Sequence, residues 1–121
     1  MKPRDALIAA AREFNRGRYF EAHEALEEAL DEVPDEQWEL FLGLIQIAVG
    51  YHKITQQLWS GAARMLRIGL EKIDRLPAEF GGVYLGALRD RARADREALE
   101  AGAFDEAAFR IRPPRLQPRR G

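Results

Sequence analysis

The chain has no cysteine, and that absence removes disulfides, thiolate metal sites and a cysteine nucleophile from every functional hypothesis. An excess of one charge sign is missing too: 19 Lys and Arg stand against 20 Asp and Glu, for a net charge of -1. No overall field therefore draws the protein to nucleic acid or anionic lipid. Long apolar runs are also absent. The longest, Leu40 to Tyr51, is interrupted by Gln46 and falls short of the roughly 20 residues a spanning helix needs. It reads as a buried core helix, and no membrane association is expected. Met1-Lys2-Pro3-Arg4-Asp5 carries charge ahead of an amphipathic stretch, not the unbroken apolar segment of a secretory signal, so the expected location is cytoplasmic. The phosphate-binding glycine loop, the dinucleotide fingerprint and the nucleophile elbow are missing as well.

With 121 residues, 46% hydrophobic and 32% charged, the chain suits one domain that buries roughly two-thirds of its unfolded surface. Apolar residues return every three or four positions, the helical period, and no stretch shows convincing strand alternation. The expected fold is all-α: a single-domain bundle of about five helices over residues 1–109 with a flexible basic tail over residues 110–121. The first helix is expected over residues 3–14, with Leu7, Ala10, Ala11 and Phe14 inward and Pro3 in the tolerant first turn. The second covers residues 19–31, gathers Tyr19, Ala22, Leu26 and Leu30 on one stripe, and is closed by Pro34.

Asp35 and Glu36 supply negative charge for the start of a third helix that continues to Gln56. It is apolar around most of its circumference and so is expected to be central and buried. Gly43 and Gly50 fall on one line of it, where a neighbouring backbone can approach closely. A fourth helix over residues 60–76 turns Ala62, Met65, Leu66, Gly69, Leu70 and Ile73 inward. Residues 77–82, with Pro77 and Gly81-Gly82, form the one clear break and a candidate hinge. A fifth helix over residues 83–101 has a narrow face of Leu85, Leu88, Ala92 and Leu99, capped by Gly102. Beyond residue 110 only Ile111 and Leu116 are left to bury, so the segment is expected to fray.

Both of the chain's 2 histidines fall on or beside apolar stripes. His23 shares its stripe with Tyr19, Leu26 and Leu30, with Glu27 one turn on, and His52 lines up with Phe41, Ile45, Ala48 and Val49. An antiparallel hairpin of the second and third helices brings the two imidazoles into one pocket with Tyr19, Glu27 and Gln46. Besides a polar ligand pocket without chemistry, two readings of that cluster are open. In one, His23 bonds Glu27 while His52 and Gln46 satisfy buried groups. In the other, His23, Glu27 and His52 hold a divalent metal, the candidate cofactor, with Glu24 as catalytic base. Established metal motifs are not met. In His23-Glu24-Ala25-Leu26-Glu27 a glutamate stands where H-E-x-x-H needs histidine, and neither histidine follows a glutamate by three residues as di-iron helices require. Arg110, Arg112, Arg115, Arg119 and Arg120 can meet phosphates by charge, but no interleaved aromatics read bases, so nucleic acid is not the expected partner.

The run Phe14-Asn15-Arg16-Gly17-Arg18-Tyr19-Phe20-Glu21-Ala22-His23-Glu24-Ala25-Leu26-Glu27-Glu28, followed by Gly43-Leu44-Ile45-Gln46-Ile47-Ala48, Tyr51-His52 and Gly61-Ala62, resembles the family catalogued as domain of unknown function 309. The resemblance covers residues 12–76. It implies a small all-helical fold of bacteria and archaea with no assigned activity. The family motif falls here on Gly17, Tyr19, Glu21, His23, Glu24, Glu27, Gln46 and His52. Ala29-Leu30-Asp31 stands where the family has a tryptophan, and Gln57-Leu58-Trp59 replaces a Gly-Asn turn.

The leading functional expectation is a helical binding or assembly module whose partner is a protein, a second copy or a small ligand. In that reading the histidine and glutamate cluster stabilises the fold or holds the ligand. The alternative is a metal-dependent enzyme, hydrolytic in type, built on His23, Glu27 and His52.

Overall fold

The computed structural model describes residues 1–120. Its framework is the six helices α1 (Pro3–Asn15), α2 (Tyr19–Glu28), α3 (Trp38–Thr55), α4 (Trp59–Ile73), α5 (Gly86–Glu100) and α6 (Glu106–Ile111). The all-α bundle implied by the periodicity is the observed fold. Each of the first four helices packs on the next in the chain, the economical topology when connections are short. α3 is its spine, with Leu40, Phe41, Ile47 and Tyr51 wholly removed from solvent. No helix among the described residues is long and apolar enough to cross a membrane.

α3 and α4 approach most closely, through Gly43 and Gly50 on one helix and Gly69 on the other. A methyl group on Gly69 would sit 2.8 Å from the carbonyl oxygen of Gly43 and 2.7 Å from Ile47 Cγ1. The missing side chains thus set the distance between the two helices. α2 ends three residues earlier than the periodicity implies, at Glu28 rather than Asp31, and the chain tightens into a 3-10 turn, Leu30–Glu32. Pro34 drives the residue before it out of helical geometry, and Val33 is extended with φ -75 and ψ 124.

Residues 77–82, read as a hinge, supply the first strand and the turn of a hairpin. β1 (Glu79–Phe80) and β2 (Val83–Tyr84) pair antiparallel across Gly81 and Gly82. Both glycines have positive φ, 60 and 89, as the mirror-image turn of a two-residue hairpin requires. Strands this short leave no alternation to find. A third strand, β3 (Gln117–Pro118), pairs antiparallel with β2.

β3 corrects the expectation of a frayed tail. Pro114 is buried, and Leu116 is 2% exposed. The Asn15 amide holds Leu116 from both sides: Nδ2 donates to its carbonyl at 2.9 Å, and its N–H donates to Oδ1 at 2.8 Å. Arg119 N–H donates to the Gly82 carbonyl at 2.7 Å. Composition hid this strap because prolines need no N–H partner, and one leucine with a few backbone bonds is enough to seat it. Gly121, the last residue of the expected tail, lies outside the described residues.

Candidate functional site

Gly17, with φ 78, turns the chain so that α2 starts at Tyr19 and runs back along α1. Residues Phe20, His23, Glu24 and Glu27 then share the flank of α2 that meets α3. His23 Nδ1 lies 2.8 Å from the carbonyl oxygen of Phe20. A carbonyl only accepts, so Nδ1 carries the proton and donates. His23 Nε2 faces Glu27 Oε1 at 3.4 Å, on an exposed carboxylate. Glu24 is exposed. His52, half-buried on α3, meets the same region: both imidazoles pack on the Phe20 ring, with centroids 4.9 Å away for His23 and 5.3 Å for His52.

The two histidines therefore converge, on an aromatic ring that is itself 43% exposed. They do so at the surface and not inside an enclosed cavity. Tyr19 and Gln46 point elsewhere. The Tyr19 ring belongs to a buried aromatic cluster with Phe14 at 5.0 Å, Tyr51 at 5.6 Å and Phe109 at 6.3 Å. Burial is the main cause that pushes its phenol up to about 12 from 10.0. Gln46 precedes His52 by six residues, which places it about 120° round the helix, toward α4. Its Oε1 is buried without a partner among the described residues. Among those residues no group of three or more His, Asp or Glu side chains is gathered as a metal ion requires. The metal reading of His23, Glu27 and His52, with Glu24 as base, finds no support in this arrangement.

A second polar cluster was not anticipated from the sequence. The Tyr51 hydroxyl donates to Asp95 Oδ2 at 2.7 Å in the core, and Arg91 Nε pairs with the same oxygen at 2.9 Å. The Arg91 guanidinium also lies 5.9 Å from the centre of the Phe109 ring. Burial first, then the neighbouring Asp95 carboxylate, raises the Tyr51 phenol well above 10.0. The cluster floors an open cleft of about 320 Å³ lined also by Phe104, Asp105 and Arg112. One signal did exist: Asp95 continues the α5 stripe of Leu88, Ala92 and Leu99, a charged residue at a core position. With a phenol held neutral and a carboxylate whose oxygen is shared by two donors, this cluster ties α3 to α5.

Residues 7–65 match the family described as Domain of unknown function (DUF309). Over that segment, just under half of the chain, the protein is similar to that family. The matched stretch includes α2, all of α3 and the start of α4, and so covers Phe20, His23, Glu24, Glu27, Gln46 and His52. Asp95, Arg91 and the C-terminal strap lie outside it. Comparison with curated proteins finds no match. Within the DUF309 segment the site is a surface: an aromatic ring flanked by two imidazoles on one side of the most apolar helix.

Proposed function

We propose that this domain is an assembly module that pairs with a second copy of itself through the face formed by α2, α3 and α4. The carrying observation is the exposed flank of α3 and the opposite charge of its two borders. Phe20 on His52 places α2 along one side of that flank. Gly61 against Lys53, and Gly43 against Lys72, place α4 along the other. Between them Leu42 and Val49 are half-buried, and Trp38 is 40% exposed. Half-buried Met65 and Ile68 extend the apolar surface onto α4. Apolar area that continuous on a small domain supports an interaction surface.

The borders support the choice of partner. The α2 edge carries Glu24, Glu27 and Asp31, all exposed, and the α4 side carries Lys53, Arg64 and Lys72. A two-fold axis lying in the face and parallel to α3 lays each acidic edge over the partner's basic edge. The other in-plane axis would stack like charges. The His23–Phe20–His52 group then sits within the contact, and its role is to shape an aromatic surface.

Sedimentation equilibrium over a range of concentrations tests this. The wild-type chain is expected to dimerise, more weakly in high salt. Glu24→Lys/Glu27→Lys and Arg64→Glu/Lys72→Glu are each expected to be monomeric and folded by circular dichroism. Mixing the two variants should restore a heterodimer, because each new edge then meets its complement. A wild-type monomer at the highest concentrations, or a mixture that stays monomeric, sinks the proposal.

A further inference from the structure

The strap that seats the C-terminal segment also gathers arginines that the sequence scatters. Arg4 from α1 joins Arg115, Arg119 and Arg120 around a cleft of about 480 Å³, with Asn15 and Gln117 also in its wall. A second depression, of about 320 Å³, is lined by Arg4, Gly82, Arg119 and Arg120. Four guanidiniums thus face one concave region of a chain whose net charge is -1. Among the described residues the acid that pairs with them is Glu79, whose Oε1 lies 3.1 Å from Arg119 Nε. On the far side of Arg4, Glu32 is held 3.2 Å from the chain's amino group.

How Arg4 is held points to a ligand. Its Nη1 donates to the Gly82 carbonyl at 2.8 Å, and its Nη2 donates to the carbonyl of Arg119. Carbonyls fix the orientation of the guanidinium and leave its full charge uncompensated. Arg115 and Arg120 form no ion pair with a carboxylate among the described residues. Fixed arginines with free donors are the standard chemistry for recognising phosphoryl oxygens, and the cleft volume lies in the range of small-molecule sites, about 300–1,000 Å³.

The geometry points to a binding site for a small phosphorylated ligand, held through a phosphoryl group by Arg4, Arg115 and Arg120. It is independent of the α2–α3–α4 face and survives if that face has no partner. A small ligand is favoured over a nucleic-acid backbone because the arginines surround a hollow, and no aromatic side chain lines it to stack a base.

Calorimetric titration of the full chain with pyrophosphate tests the site. Saturable one-to-one binding is expected, weakened by about tenfold or more in Arg115→Gln/Arg120→Gln, the effect of losing hydrogen bonds to a charged group. Both residues are exposed, so the variant should fold, and an unchanged circular dichroism spectrum checks that it has. Competition by inorganic phosphate, with no effect of an uncharged sugar, further supports the assignment. Absence of saturable binding, or equal affinity in the variant, overturns it. Binding of an oligonucleotide with a steep salt dependence, and none of pyrophosphate, overturns it in favour of a nucleic-acid partner.

Discussion

Asp95 is 9% exposed, the one buried charged side chain among the described residues, and two donors hold its carboxylate. Removing one donor with Tyr51→Phe is expected to destabilise the protein by about 1–3 kcal/mol at neutral pH, as measured by urea unfolding. The same variant changes the alkaline response. Tyr51 and Tyr19 both have raised folded-state values relative to 10.0, so the unfolded chain loses these protons first. The stability they contribute is full below pH 10 and is lost as pH climbs past it toward the folded values. Wild-type protein should weaken steadily above pH 10, and Tyr51→Phe should weaken less steeply, with tyrosinate absorbance reporting the ionisation. Identical slopes would show that Tyr51 does not carry the effect. His23 and His52 were legible in the sequence because imidazoles on apolar stripes are conspicuous. Asp95 was passed over because an acid on an arginine-rich helix ordinarily faces water, and only its register with Leu88, Ala92 and Leu99 marks it as inward.

Between elements, the α3–α4 contact offers the cleanest test. Gly69→Ala adds a methyl 2.8 Å from the backbone oxygen of Gly43, and backbone on a packed helix cannot yield as a side-chain tip can. Overpacking of about 1–3 kcal/mol should exceed the gain of roughly 1 kcal/mol from helix propensity, so a net loss is expected in thermal melts. Gly86→Ala, where nothing lies within 4 Å, is the control and should leave stability equal or higher. A Gly69→Ala protein as stable as wild type would mean that the helices separate freely. The first five helices, the glycine line and the Gly102 cap could be read in advance, because each depends on local spacing or on one residue type, whereas the six-residue α6 is too short to show a period. The three strands could not, since each has two residues, too few for alternation, and β3 is made by pairing with chain that is distant in sequence.

For the whole molecule, the arginine cleft and the neatness of the bundle both depend on α1 being tied to the strap, through Asn15 and Leu116, whose positions differ by 101. The most extensive helix-on-helix contacts join consecutive helices, and such contacts assemble quickly. Bringing Leu116 back to Asn15 closes a loop of nearly the full chain, with an entropy penalty and only a short segment to gain. The strap is therefore the last part to fasten and the first to open. Native-state hydrogen exchange should show the amides of Leu116 and Arg119 opening well before that of Ile47 in α3, with Asn15→Ala hastening the former alone. Equal protection at both places would mean that latch and body unfold together. If the latch opens by itself, the protein passes through a brief form in which its helices are intact but its arginines are dispersed, and a phosphorylated ligand would lengthen the time it spends shut.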